Sequence, residues 1–253
     1  MIFDVISSGS KGNATLVIYK DTCLLIDFGI SKKRVVSALN SYGLGFDDID
    51  AFLITHSHSD HASNVYSAPV DKIFSSALKL PKDVEIDVSH FLRPNITFKI
   101  KDIVIKTIQL SHDAKNTLGF IIEGGDEKLV YITDTGFIPE KYFADLRGAT
   151  YYILESNHDP KMLYESSRPD YLVKRIVSDQ GHLSNTDCAY YLSIFIDSNT
   201  KEVVLAHLSE ECNTKEIALA TYEKVMMTQL SYLPDCLVKV ASATEETKGG
   251  STR

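Results

Sequence analysis

His56-Ser57-His58-Ser59-Asp60-His61 follows the apolar run Ala51-Phe52-Leu53-Ile54, with only Thr55 between them. Four metal-competent side chains therefore fall within six residues. A buried strand ending in such a cluster offers imidazoles and a carboxylate to more than one metal ion. The plain alternative is a polar loop that happens to be rich in histidine. The rest of the chain weighs against it, because the same device recurs. Leu24-Leu25-Ile26 runs into Asp27, and residues 104–110 run into Ser111-His112. Residues 129–132 lead to Thr133-Asp134, 151–154 to Glu155-Ser156-Asn157-His158, and 203–206 to His207. Short β-branched, apolar or aromatic runs read as buried strands. Ligand-type residues at so many strand ends imply one shared site on one rim of a sheet system, with loops carrying the chemistry. A core reading is poor for the whole set, since Asp and His are costly in a core without partners.

The length of 253 residues suits one large domain, or two small ones, around a substantial core. A hydrophobic fraction of 44% with 24% charged residues is ordinary for a soluble globular protein. No apolar run approaches the ~20 residues that span a bilayer. Met1-Ile2-Phe3-Asp4-Val5-Ile6 has neither the basic region nor the cleavage site of a signal peptide. Cys23, Cys188, Cys212 and Cys236 lack metal-type spacing and read as reduced thiols, so a cytoplasmic protein is expected. The net charge of −8 argues against a broad electrostatic coat on nucleic acid. A phosphodiester substrate stays open, because two divalent ions add about four positive charges locally.

The pattern predicts strand, Gly/Ser loop, strand, strand over 3–29, a helix over 31–42 stopped by Gly43, and a strand over 50–55. A helix starts near Asp60. Strands follow at 72–75, 96–100, 103–110, 119–123 and 128–133, with Gly124-Gly125-Asp126 as a hairpin turn. A strand over 151–155 precedes helices over 170–178 and 186–195, the first started by Pro169, the second capped by Ser184 or Asn185. A last core strand over 203–206 and a long helix over 213–230 complete the order. Strands first, then strands alternating with helices, give two packed sheets with helices outside. Residues 1–241 read as a single domain, and the small, polar residues 242–253 as a disordered tail.

In this order, the histidine cluster, His112, Thr133-Asp134-Thr135-Gly136 and His207 resemble the metallo-β-lactamase superfamily. Asp27, in Leu25-Ile26-Asp27-Phe28-Gly29, matches that superfamily's first motif. Ser8-Gly9-Ser10-Lys11-Gly12-Asn13, His112-Asp113-Ala114, Glu155-Ser156-Asn157-His158-Asp159 and Gly181-His182-Leu183-Ser184-Asn185 are similar to its YycJ/WalJ branch. Gly181-His182-Leu183-Ser184 also resembles the Gly-His-Ala-Ser motif of RNase J-like nucleases. Asn64 stands where the superfamily often has Gly, and Lys115-Asn116-Thr117 where the branch often has Pro. These departures touch loop shape and no ligand.

The resemblance implies an α/β chain folded as a four-layer αββα sandwich with a dinuclear centre of Zn, Mn or Fe. It implies His56, His58 and His112 on one metal, Asp60, His61 and His207 on the other, and Asp134 bridging them. Asp27 would orient a ligand from behind. A metal-bridging hydroxide would be the nucleophile, with Asp60, Asp134 and His182 in the chemistry. The implied activity is a phosphodiesterase, a 5′–3′ exonuclease with DNA as its partner and no membrane. No cysteine takes a ligand position, unlike many true β-lactamases, and position 58 is His, unlike the flavodiiron oxygen reductases. Thioesterases of the glyoxalase II type share the cluster. A small-molecule hydrolase acting on a cyclic phosphodiester or thioester is therefore the alternative. A metal-loaded nucleic-acid-binding regulator without catalysis is the second.

Further positions carry two readings each. His182 precedes a helix N-terminus and can donate a proton or grip phosphate, or it is a surface histidine. Ser184 and Asn185 contact substrate or only cap that helix. His158 is a ligand, a proton donor or a packed loop residue. Arg168, Lys174 and Arg175 grip the substrate backbone or form a solvated face. Ser8 and Asn13 lie in a loop that approaches a phosphate or is a plain hairpin. Tyr151, Tyr152, Tyr190 and Tyr191 stack on bases or, the better reading, pack in the core.

Overall fold

The computed structural model describes residues 1–251, which fall into two compact units. The first comprises Met1–Gln109, Ala114–Asp126 and the chain from Ala241. The second comprises Leu110–Asp113 and Glu127–Val240.

In the first unit, β1 (Ile2–Ser7), β2 (Ala14–Tyr19) and β3 (Thr22–Ile26) run antiparallel in sequence. Helix α1 (Lys32–Asn40), which buries Val35, Ala38 and Leu39, carries the chain back to β4 (Ala51–Ile54). β4 lies parallel to β3, with Ile26 opposite Leu53. Every residue of β3 and β4 is buried, as expected of parallel strands covered on both faces. The single-turn helix α2 (Ser59–Ala62) holds the end of the histidine cluster. β5 (Ile73–Ser75) pairs parallel with β4, and β6 (Lys79–Leu80) pairs with β7 (Val84–Glu85). β8 (Thr97–Ile100), β9 (Ile103–Gln109) and β10 (Leu118–Gly124) run antiparallel. Gly125, at φ 60°, starts the two-residue turn that follows β10.

The second unit has β11 (Glu127–Ile132), α3 (Phe143–Leu146), β12 (Tyr151–Glu155), α4 (Pro160–Tyr164) and α5 (Asp170–Ile176). α6 (Asn185–Phe195), β13 (Glu202–Ala206), α7 (Lys215–Leu230) and β14 (Leu237–Val240) follow. All four strands are parallel, each step bridged by helix. The register sets Ile132 beside Leu154, and Glu155 beside Ala206. Their C-terminal ends thus share a rim, and polar residues at those ends are neighbours by construction. Tyr151 and Tyr152 are buried, as the core reading expects, whereas Tyr190 is half exposed.

Two strands escape the sequence reading. β14 was not expected because its side chains are exposed or half-buried and give no buried run. The tail assignment is corrected over β15 (Thr247–Gly250), which pairs antiparallel with β1. Its Thr-Lys-Gly-Gly sequence carries no apolar pattern, and backbone pairing alone sets its register. Residues 252 and 253 of that expected tail lie outside the described residues. Among the described residues, no helix is long and apolar enough to cross a membrane.

β15 brings Lys248 opposite Asp4 on β1. Asp4 is fully buried; Tyr42 Oη donates to its Oδ2 (3.0 Å) and Lys248 Nζ stands 3.8 Å away. Burial raises its pKa from 3.8 to about 6, against the Tyr42 hydrogen bond and with help from Glu246. The folded state thus holds an extra proton between about pH 4 and 6, and that contribution is lost as pH rises through 6. Asp4→Asn should raise the Tm at pH 7.5, and the gain should vanish near pH 4. Thermal melts at both values check this; an equal shift at both would contradict it.

Candidate metal centre

The first unit's donors are built on β3 and β4. Asp27 directly follows β3 with φ 60°, a left-handed conformation that Asp adopts more readily than most residues. The Thr55 N–H and Oγ1 both donate to Asp27 Oδ1 at 2.9 Å. His61 Nδ1 lies 2.7 Å from Asp27 Oδ2, so Nδ1–H donates to the carboxylate and Nε2 is the lone-pair nitrogen. Thr55 has one hydroxyl proton, directed at Asp27; it therefore accepts from His56 Nδ1 at 3.0 Å, and His56 too presents Nε2. The His56 ring centroid lies 4.6 Å from that of His58 and 4.2 Å from that of His61. Asp60 Oδ2 is 3.4 Å from His61 Nε2.

One helical turn has no stability of its own, so α2 is held from outside. Asn13 N–H donates to Asp60 O (2.7 Å), and Phe28 N–H to His61 O (2.6 Å). A Cβ on Gly29 would collide with the Asp60 backbone carbonyl. Glycine in the Asp27-Phe28-Gly29 motif is therefore a close-approach requirement. Asn13 is buried, exchanges hydrogen bonds with Gly9, and sets Nδ2 3.0 Å from His61 Nε2. Ser8 is buried as well.

In the second unit, Asp134 lies two residues beyond β11 at φ 59°, and His207 one beyond β13 at φ 55°. Asp134 Oδ1 stands 3.6 Å from His207 Nε2 and 3.8 Å from His112 Nε2. His112 Nδ1 donates to Gly181 O (3.1 Å), and its Nε2 also lies 3.2 Å from Asp113 Oδ1. Burial lowers the His112 pKa, with Asp134 opposing the effect and His182 adding to it.

Glu155, the last residue of β12, was quoted in a motif but given no role from sequence. It is the hub of this half. Its Oε1 accepts from His182 Nδ1 (2.7 Å) and His207 Nδ1 (3.0 Å). Its Oε2 accepts from the Thr135 N–H (3.0 Å) and Leu183 N–H (3.3 Å). Complete burial alone would raise its pKa; the His182 charge and the two imidazole hydrogen bonds outweigh that, and the carboxyl is held below its usual range. Asp134, Glu155, His182 and His207 each bring one ligand atom within 4.8 Å of the others. The signal for Glu155 was present: a carboxylate ending a parallel strand beside the His207 strand. A Cβ on Gly181 would strike the backbone carbonyls of Ile176 and Arg175, so glycine here lets His182 approach.

Other positions fall outside these donor sets. Ser184 caps α6, its Oγ accepting from the Asp187 N–H at 3.1 Å. Asn185 is buried on Ser156 and Asn213. His158 is buried with its backbone bridged to Ser184, burial lowers its pKa, and it joins no donor cluster among the described residues. Arg168 bonds Glu211 and Ser209, Arg175 bonds Asp113, and Lys174 is exposed.

Imidazole and carboxylate donors without thiolate fit Zn, Mn or Fe. Their 3.4–3.8 Å separations approach the ~3.4 Å between neighbouring ligands on a tetrahedral ion.

Known proteins agree. The "Beta-lactamase superfamily domain" family matches residues 24–208. Exodeoxyribonuclease YycJ of Bacillus anthracis is 32% identical over 233 residues, covering 88% of each chain. Exodeoxyribonuclease WalJ of Streptococcus pneumoniae is 33% identical over 240 residues, covering 90% of this chain and 88% of the relative. Among solved structures, the metallo-β-lactamase fold protein YhfI from Bacillus subtilis aligns with a TM-score of 0.69 at 16% identity, covering 98% of this chain and 99% of that one. Zn(2+)-bound PqqB from Methylobacterium extorquens gives 0.67 at 13%, with the same coverage. The chain belongs to the metallo-β-lactamase superfamily, in its YycJ/WalJ-like branch, and is a metal-dependent hydrolase with that fold.

Removing the carboxylate behind His61 should weaken the metal. Asp27→Asn is expected to lower affinity roughly 10- to 100-fold. Metal content after dialysis against a graded chelator measures this; wild-type retention would contradict the role assigned to Asp27.

Proposed function

We propose that this superfamily member is a two-metal phosphodiesterase that removes nucleotides from the 5′ end of DNA. The observation that carries the reading is Asp134 Oδ1 lying 3.8 Å from His112 Nε2 and 3.6 Å from His207 Nε2. One carboxylate placed to serve two histidines suits a bridging ligand. The names of the YycJ and WalJ relatives support DNA as the polymer. In this proposal His56, His58 and His112 hold one ion, and Asp60, His61 and His207 hold the other. Asp134 is shared, and Asp27 orients His61. Two divalent ions, when bound, activate water at neutral pH and draw off negative charge developing on phosphoryl oxygens.

The chain's own groups do the remaining work. Glu155 fixes the His182 ring through Nδ1, so protonated His182 can pass its Nε2 proton to the leaving oxygen. The same carboxylate fixes His207, which ties the proton donor to a ligand at one buried point. Four unbridged cysteines suit the proposed cytoplasmic setting.

The test is cleavage of 5′-labelled single- and double-stranded DNA and RNA by metal-stripped protein, with Mn or Zn restored singly. Nucleotide release from the 5′ end of DNA, only with metal, is expected. Rapid hydrolysis of a cyclic phosphodiester or thioester with every polymer left intact would instead establish the small-molecule hydrolase. Two variants separate the roles. Asp134→Ala should lose metal and turnover together, whereas His182→Ala should keep its metal and slow by roughly 10²- to 10⁴-fold. Metal analysis beside the cleavage assay checks both, and full activity in either variant would contradict the assignment.

A further inference from the structure

Between β12 and α6 the chain builds a surface that the metal centre does not use. A small apolar cluster of Leu163, Ile176 and Cys212, packed by Met162, Leu172 and Val173, seats α4 and α5 on the second unit. Asp159 caps α4 by accepting from the Met162 N–H at 2.9 Å, and its own N–H bonds Cys212 O at 2.9 Å. Arg168, in the connection between the helices, donates to Glu211 Oε2 (3.1 Å) and Ser209 Oγ (3.4 Å). Both acceptors lie just beyond His207 in the chain. At the far end, Ile176 O accepts from the His182 N–H at 2.9 Å. The segment is therefore fastened to the stretches that carry His207 and His182.

Its exposed side chains go beyond what folding requires. Tyr164 is 67% exposed and Tyr171 74% exposed, on either side of Arg168. Residues 160–176 hold four basic side chains against two acidic ones, in a chain whose net charge is −8. Of the four, Lys161 and Lys174 are exposed and make no ion pair among the described residues. Exposed aromatic faces alone would suit many partners. Aromatic faces interspersed with uncommitted cations suit a polyanion with unpaired bases.

We propose, building on the nuclease reading, that Tyr164 and Tyr171 stack on unpaired bases of a single DNA strand, with Lys161 and Lys174 on its phosphates. The surface holds the strand on the segment that leads to His182. These are positioning residues, so they act on substrate affinity and not on the chemical step.

The experiment is steady-state kinetics of Tyr164→Ala, Tyr171→Ala and the matching Phe variants. The substrates are a 5′-labelled single-stranded oligonucleotide, the same strand with abasic sites, and bis(p-nitrophenyl) phosphate. Each Ala variant should raise KM on the normal strand by roughly 5- to 100-fold. Their kcat should hold, the Phe variants should behave as wild type, and neither the abasic strand nor the small diester should register the change. If wild-type protein degrades the strand and the Ala variants keep its KM, the stacking surface is wrong and the nuclease reading stands. If wild-type protein hydrolyses the small diester but no DNA, the nuclease reading fails and the stacking surface with it. Equal losses on the small diester would show local unfolding, and an altered oligomeric state at unchanged KM would show a chain–chain contact; either overturns the proposal.

Discussion

A buried carboxylate that accepts a hydrogen bond from the Nδ1–H of a histidine is the interaction on which the candidate donors depend. Asp27 does this for His61, and Glu155 does it for both His182 and His207. Each bond fixes the ring plane and the tautomer, leaving Nε2 for a metal or for proton transfer. A buried carboxylate without such partners would cost several kcal/mol. Both are fully satisfied by neighbours: Thr55 serves Asp27, and the N–H groups of Thr135 and Leu183 serve Glu155. Fully bonded carboxylates make rigid supports.

Within each unit, parallel strands explain how the carboxylate meets its histidines. Neighbouring strand ends align in register, as Ile26 with Leu53 and Glu155 with Ala206 show. The residues just beyond the strands then turn sharply. Asp27, Asp134 and His207 all take φ near 55–60°. Left-handed backbone is costly for a residue with a side chain, least so for Asp, Asn and His. Strain repeated at three strand ends that carry candidate donors is what donors of fixed geometry require. Gly29 and Gly181 add the second condition, a backbone approach too close for any Cβ.

Much of this was legible in the sequence because it is local. The run from His56 to His61 lies on one short stretch, and fully apolar runs such as Leu24-Leu25-Ile26 mark buried strands. The resemblance implies an orienting role for Asp27 because its motif is contiguous, and its carboxylate lies 2.7 Å from the His61 ring. Glu155 was not legible as a hub, since its partners His182 and His207 are 27 and 52 residues away and meet it only through strand register and the close approach at Gly181. β15 was hidden for a different reason. A Thr-Lys-Gly-Gly strand pairs through backbone alone, and composition then reads as a tail. For Ser184 and Asn185 the sequence leaves substrate contact and helix capping open; Ser184 caps α6 and Asn185 lies in a buried amide network.

The proposed function rests on a pair of ions held by imidazole and carboxylate, with Asp134 shared between them. X-ray absorption spectroscopy of the protein loaded with Zn or Mn tests it most directly. The account predicts a nitrogen and oxygen shell with no sulfur, and a metal–metal vector of about 3.5–4 Å. A sulfur ligand, or full loading with a single isolated ion per chain, would contradict it.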